Sequence, residues 1–282
     1  MLPPTLSGAT RLVPILAWPV DHVRAPRTYN PAFAEAGLDW CLVPMGVHPD
    51  DLAATLAQLA RVSNLQGVNL TIPHKSHGFR LCKWLTHEAA RVRMVNTMRV
   101  EPDGQWAGTN SDGAGFVGAA REHGLLDTAR PVVIVGSGGA GCAIAFALAA
   151  AGVREIHVSD IDGTRAERLA QALRDAFGGI EATTRRDALP RAGLAVNASP
   201  MGLHAGDALP LDPTLLRDDA ALFDIIAARD TELMAAAQAR GLRVLGGRPM
   251  VQHQLATQLA FWRRDPIDLA FAEQAGVREH GR

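Results

Sequence analysis

A disulfide framework, a basic stripe and a long apolar run are all missing from this 282-residue chain. Its three cysteines, Cys41, Cys82 and Cys142, are scattered and show no paired-ligand spacing. That pattern excludes a disulfide scaffold and implies reduced thiols in a cytoplasmic protein. The net charge is −1, whereas a nucleic-acid partner needs a positive surface to release counterions. The longest apolar run, residues 142–151, is about half of what a membrane crossing requires. The opening MLPPTLSGATRL lacks the charged start and apolar core of a secretion signal. Ten histidines are present, with His74 and His77 three apart and His22, His48 and His253 isolated. No carboxylate or cysteine stands beside them at ligand spacing, so no metal is expected.

What is present is an ordinary globular composition, 48% hydrophobic and 20% charged, on a chain long enough for two modest domains. Residues 11–17 read as a buried strand, and Pro19, Pro26 and Pro31 shape a loop over 18–27 that opens a helix. Short strands are expected at 41–44 and 67–72, with a helix at 52–61 capped by Asp50 or Asp51. Residues 94–100 and Trp106 read as a hairpin around the turn 101–104.

From residue 131 the order becomes strand (131–135), glycine loop, apolar helix, strand (155–160) and charged helix (164–177). Strands at 194–196 and 221–226, a helix at 231–240 and a strand at 242–245 follow, then an amphipathic helix at 250–262 and a polar tail. Strands alternating with helices predict an α/β, doubly wound parallel sheet, because parallel neighbours need helical crossovers.

Residues 132–135 run into Gly136-Ser137-Gly138-Gly139-Ala140-Gly141, a GxGxxG pattern between a strand and a helix. Tight turning, close backbone approach and helix N–H donors at that place suit a pyrophosphate. Asp160 stands 24 positions after Gly136 at the end of the next strand. An acid there accepts hydrogen bonds from the adenosine ribose and repels a 2′-phosphate, so NAD is expected over NADP. Ile161 has no charge to pair with that phosphate, and Arg165 falls within the following helix. Asp160 also suits a helix N-cap, which is compatible with the cofactor role.

Two polar clusters remain, Asn69, Thr71, His74 and Lys75 in the first, and Asn96, Thr97, Asn110, Ser111 and Asp112 in the second. Such residues at strand ends suit a hydroxylated ligand, although they are also common in turns and caps. Six motifs in order resemble the shikimate dehydrogenase family. They are Asn69-Leu-Thr-Ile-Pro-His-Lys75, Val95-Asn96-Thr97, Asn110-Ser-Asp-Gly-Ala-Gly-Phe116, the glycine loop, Asn197-Ala-Ser-Pro-Met-Gly-Leu203, and Gly247, Met250 and Gln254. The resemblance implies a substrate domain (1–112 with 247–282) clasping a Rossmann domain (113–246), with substrate in the cleft. It implies reversible hydride transfer between a ring hydroxyl of shikimate, quinate or a related cyclic hydroxy acid and the nicotinamide.

Carried over position by position, Lys75 and Asp112 are the catalytic pair, and Thr71, Asn96 and Gln254 are substrate ligands. Gly136, Ser137, Gly138, Gly139 and Ala140 cradle the cofactor, and Ile225 and Gly247 touch its nicotinamide end. Oxidising an alcohol by hydride loss needs proton removal, which a lysine of lowered pKa can perform beside an orienting carboxylate. The pair is best treated as one coupled dyad. His74 is expected at the surface or behind the lysine, and Cys82 as an apolar filler.

The chain departs from the family where the substrate carboxylate is held. Two loop serines are Val23 and Ala25 here, and the tyrosine expected after the strand at 221–226 is missing; the only tyrosine is Tyr29. Each hydrogen bond lost to a charged group is worth roughly 1.5–3 kcal/mol. Either Arg24 replaces the three hydroxyls or the substrate differs. With Asp160, this points to a catabolic or accessory NAD-linked paralogue. An NAD-binding sensor without turnover, or a dehydrogenase for an unrelated hydroxy acid, are the alternatives. A monomer and a homodimer are both compatible with the sequence.

Overall fold

The computed structural model describes residues 6–21, 23–267 and 269–271. His22 and most of the expected polar tail, residues 272–282, lie outside them. In chain order the elements begin β1 (Arg11–Ala17), α1 (Pro26–Glu35), β2 (Trp40–Gly46), α2 (Leu52–Leu59), β3 (Val68–Leu70), α3 (Lys75–Leu81) and β4 (Trp84–Leu85). Then come α4 (His87–Val92), β5 (Thr97–Val100), β6 (Trp106–Thr109), α5 (Asp112–Glu122), β7 (Val132–Val135), α6 (Gly139–Ala150) and β8 (Glu155–Ser159). The last are α7 (Gly163–Ala176), β9 (Glu181–Thr183), β10 (Leu194–Asn197), β11 (Ala221–Asp224), α8 (Glu232–Ala239), β12 (Arg243–Leu245), α9 (Arg248–Arg263) and β13 (Ala270–Phe271).

The chain forms two compact units, residues 1–111 with 255–282, and residues 112–254. The first holds a seven-stranded mixed sheet in the order β13-β4-β6-β5-β3-β1-β2. β1 pairs parallel with β2 over its whole length, from Arg11 opposite Trp40 to Ala17 opposite Gly46. The expected hairpin is present as antiparallel β5–β6, while β13 adds a strand where only polar tail was expected. Leu16, Leu56, Leu70, Phe79, Leu85 and Met98 are in the buried core. Trp262 of α9 is also buried in this unit, and its indole N–H donates to the Met98 carbonyl at 3.2 Å. Truncating such a ring costs about 3–5 kcal/mol.

The second unit holds a six-stranded sheet, β12-β11-β10-β7-β8-β9, with every pair parallel. β7 reads VVIV because a parallel strand covered on both faces has no polar side. α6 is apolar nearly all round, with Ile144, Phe146 and Leu148 buried. α7 buries Ala166, Leu169, Ala170 and Leu173, the three-and-four spacing of a one-sided helix.

Two capping expectations are corrected. Asp51 makes no side-chain cap bond to α2; a 3-10 turn at Pro49–Asp51 precedes that helix, and His48 Nδ1 accepts from Asp50 N. Asp160 does not cap α7. Asp162 does, accepting from Thr164 N at 3.0 Å and Arg165 N at 3.4 Å, because the helix begins two residues later than an Asp160 cap would require. Among the described residues no helix is long and apolar enough to cross a membrane.

Candidate active site

In the second unit, β7 ends at Val135 and Gly136 turns the chain with φ +99°. A Cβ on Gly136 would lie 2.7 Å from the Ala198 carbonyl carbon and the Ser199 nitrogen. A Cβ on Gly141 would lie 1.9 Å from the Gly136 oxygen. Both positions therefore exclude side chains, whereas Gly138 faces open space and serves as the extended N-cap of α6. The first turn of any helix has N–H donors without intrahelical acceptors. Here Gly139 and Ala140 carry them, at the positive end of the α6 dipole.

Asp160 follows β8. Its Oδ2 accepts from the Ser137 N–H at 2.7 Å and the Ser137 hydroxyl at 2.8 Å, and its Oδ1 from Asp162 N at 2.9 Å. Burial pushes this carboxyl up, but the Ser137 and Asp162 donors and the nearby Arg165 charge outweigh it and hold the group below its ordinary value. Asp160 thus braces the glycine loop through Ser137, a role that its position at a strand end does not reveal. Ile161 projects into solvent, and Arg165 pairs with Asp162 at 3.3 Å.

Ile225 and Gly247 are brought together. Ile225 N donates to the Asn197 carbonyl at 3.1 Å and Gly247 N to the Ile226 carbonyl at 3.2 Å. A Cβ on Gly247 would stand 2.1 Å from the Ile225 oxygen. Beneath them lies a network that sequence reasoning missed. Asp224, fully buried, accepts from Asn197 Nδ2, Ile226 N and the Thr231 hydroxyl. The available signal was an acid ending the otherwise apolar strand β11.

Asp112 is the first residue of α5 and only 2% exposed. A carboxylate there is favoured by the helix dipole, and its Oδ1 accepts from Gln254 Nε2 at 3.1 Å. The structure thus joins these two predicted site residues.

In the first unit, Thr71 follows β3, donating its N–H to the Leu16 carbonyl and accepting from His74 N. Lys75 opens α3, and its carbonyl accepts from Val95 N at 3.0 Å. Asn96 is buried. Its Nδ2 donates to the Ser111 hydroxyl at 3.0 Å, and its Oδ1 accepts from Ser111 N at 3.0 Å and the Thr97 hydroxyl at 2.8 Å. Ser111 Oγ also accepts from Gln258 Nε2 at 2.9 Å, and Gln258 Oε1 from Asn69 Nδ2 at 3.1 Å. Gln258 was absent from the expected site, and Ser111 stood in it only as a member of the second polar cluster; the bond between them needs α9 folded beside β3 and β5. The ladder runs from Lys75 through Val95 and Asn96 to Ser111, and Asp112 is the next residue.

His74, expected at the surface or behind the lysine, is fully buried. Its Nε2 lies 3.0 Å from the carbonyl of Val47, the residue that follows β2. Burial lowers its pKa, opposed by backbone carbonyls of Val47 and Ala17 and aided by nearby His77. Trp18 is 46% exposed and meets His48 edge-on at 5.4 Å. The exposed Arg24 folds back on its own loop, donating to the Asp21 carbonyl at 2.5 Å. Cys82 is a buried thiol raised by desolvation. Among the described residues no three metal-ligating side chains cluster.

The family model described as the shikimate dehydrogenase substrate binding domain matches residues 15–98. A shikimate dehydrogenase (NADP(+)) from Rubrobacter xylanophilus is 37% identical over 278 residues, covering 93% of this chain and 94% of the relative. The chain belongs to the shikimate dehydrogenase family. That is a family of NAD(P)-dependent oxidoreductases acting on a CH–OH group. The fold agrees. Shikimate 5-dehydrogenase from Thermus thermophilus, solved with NADP(H) and shikimate, superposes with a TM-score of 0.82 at 30% identity, covering 94% of this chain and 98% of that one. Quinate dehydrogenase from Corynebacterium glutamicum, solved with NAD, superposes with a TM-score of 0.80 at 28% identity, covering 94% and 97%. In shikimate dehydrogenase terms, the matched segment 15–98 contains Lys75 and Asn96, and the glycine loop lies beyond it.

Proposed function

We propose that this protein oxidises and reduces a ring hydroxyl of shikimate, quinate or a related cyclic hydroxy acid, using NAD. The observation that carries the chemistry is Asp112, a buried carboxylate at the head of α5 held by Gln254. It follows directly on Ser111, which Asn96 and Gln258 lock in place. Lys75 and Asp112 act as one coupled acid–base pair that takes the proton of the substrate hydroxyl. Thr71, Asn96 and Gln254 are the supporting substrate ligands, joined by Arg24 from the loop where Val23 and Ala25 offer no hydroxyl. The nicotinamide, when bound, accepts the hydride from the carbinol carbon as that carbon becomes a carbonyl.

A dinucleotide fits the second unit because Gly136 and Gly141 leave no room for side chains and α6 begins directly behind them. NAD rather than NADP is supported by Asp160, held ionised by Ser137 and Asp162. The relatives named NADP(+)-dependent weigh the other way, and a quinate dehydrogenase with NAD stands beside them. Three free thiols, two of them buried, support a cytoplasmic setting.

A second reading, a different hydroxy acid, is favoured by the loop after β1, where Val23 and Ala25 offer no hydroxyl. Initial rates with shikimate, quinate and a panel of cyclic hydroxy acids, each with NAD and NADP, test both. Turnover of shikimate or quinate with NAD supports the proposal. Turnover confined to another acid supports the second reading, and cofactor binding without reduction on any substrate overturns both.

A further inference from the structure

We infer that Asp224 is a positioning residue for the nicotinamide half of the dinucleotide, acting through the backbone of residues 225–226 and 197–199. The inference rests on the dinucleotide reading of the second unit.

Sheet topology supplies the frame. From β7 the chain moves outward to β8 and β9, then returns to the other side of β7 with β10 and continues outward to β11 and β12. Ligands of such sheets lie in the crevice where that reversal occurs, outside the strand carboxyl ends. The glycine loop follows β7 and Asp160 follows β8, so they mark the adenosine side. The other half of the molecule must extend over the ends of β10 and β11.

Those ends are wired through one carboxylate. Asp224 Oδ1 accepts from Asn197 Nδ2 at 3.0 Å and Ile226 N at 3.1 Å, and Oδ2 from the Thr231 hydroxyl at 2.7 Å. The donors come from three segments: the end of β10, the turn after β11, and the N-cap of α8, where Thr231 also accepts from Met234 N. Asn197 passes the constraint on, its Oδ1 accepting from the Ser199 N–H and hydroxyl.

Both wires end against cofactor-side backbone. Gly136 packs on Ala198 and Ser199 with no space for a methyl group, and Gly247 packs on Ile225 in the same way. A displaced Asp224 would move the wall behind the glycine loop and the strand end that meets Gly247. An acceptor-only carboxylate that holds three donors from three segments fits a fixed support better than a reacting group. Burial pushes its pKa up, against the pull of the Thr231, Ile226 and Asn197 donors.

The experiment measures, on the full chain, dissociation constants for NADH and for ADP by fluorescence and competition titration, together with kcat. Asp224→Ala is expected to weaken NADH binding by about tenfold or more, as for loss of hydrogen bonds to a charged group. kcat falls with it, while ADP binding, which reads the adenosine half alone, is retained. Asp224→Asn keeps an oxygen for Ile226 N and Asn197 and presents an amide to Thr231, so it restores most of the NADH affinity. If Asp224→Ala does not fold, Thr231→Val removes only the Oδ2 donor and is expected to show a smaller loss for NADH with ADP unaffected. Equal losses of ADP and NADH, or no loss of either, overturn the inference. Failure of the unsubstituted protein to bind either ligand would instead remove the dinucleotide reading itself.

Discussion

Exchanging Asp160 for Asn replaces one charged oxygen with an amide nitrogen and isolates the electrostatic part of cofactor choice. The carboxylate accepts three hydrogen bonds, two from Ser137 and one from Asp162 N. These hold it below its ordinary value despite burial, so it is charged at neutral pH. The 2′-phosphate of NADP would have to settle beside that charge. Two unit charges 4 Å apart repel by about 1 kcal/mol in water and about 4 kcal/mol at an effective dielectric of 20. A phosphate monoester carries roughly −1.5 to −2. Taking the wet end of that range for a half-buried carboxylate gives about 2 kcal/mol, a factor of about thirty. In Asp160→Asn the amide oxygen still accepts the Ser137 N–H, so the glycine loop keeps its brace. The ratio of kcat/KM for NAD to that for NADP is expected to fall about thirtyfold, mainly through a gain for NADP. Asp160→Ala removes the same charge and also strands both Ser137 donors, so the ratio should fall as in the Asn variant while NAD itself weakens by about tenfold or more. Initial rates with each cofactor varied at fixed substrate decide the matter. An unchanged ratio in the Asn variant, or an unsubstituted protein that already prefers NADP, refutes the reasoning.

Lys75→Ala should lower turnover by about a hundredfold or more, the loss expected of a general acid–base group; turnover near that of the unsubstituted protein removes Lys75 from the proton transfer. Gly141→Ala places a methyl group 1.9 Å from the Gly136 oxygen, so the loop backbone must shift by about 1 Å, with a cost of about 1–3 kcal/mol in stability. Cofactor affinity should fall with it, and a thermal melt together with an NADH titration showing no change would reject the tight loop. His74 has a folded pKa lowered chiefly by burial, so it binds fewer protons folded than unfolded. Its contribution is therefore complete above the ordinary histidine value of about 6.5 and is lost as pH falls towards the lowered one. His74→Leu strands the Val47 carbonyl and should cost about 1–3 kcal/mol at neutral pH, with the deficit shrinking as pH is lowered. A deficit in denaturant midpoint that is constant across that window counts against a buried neutral imidazole.

Local pattern was enough for the run from β7 through α6 to β8, because apolar strands covered on both faces and a glycine turn before a helix declare themselves within about thirty residues. The same holds for β1, for the β5–β6 hairpin and for the motifs that carry Lys75, Asp112 and the glycine loop. Elements that depend on partners far away in sequence did not declare themselves. α5 has three glycines in eleven residues, Gly113, Gly115 and Gly118, a composition that disfavours a free helix. It is helical because Ala143, Met250 and His253 press where side chains would stand. Short pieces such as β4, β9 and β13 exist only as partners in a ladder. Whether Asp160 or Asp162 caps α7 depends on where that helix starts, which neither acid reveals alone. Asp224, Asn197 and Thr231 look like isolated polar residues until parallel pairing sets β10 beside β11. The amino-acid sequence by itself determined the fold class and the chemical groups available. Tertiary structure decided which of those groups are buried and what each one holds, since burial and long-range hydrogen bonds belong to the packed chain and not to any window of it.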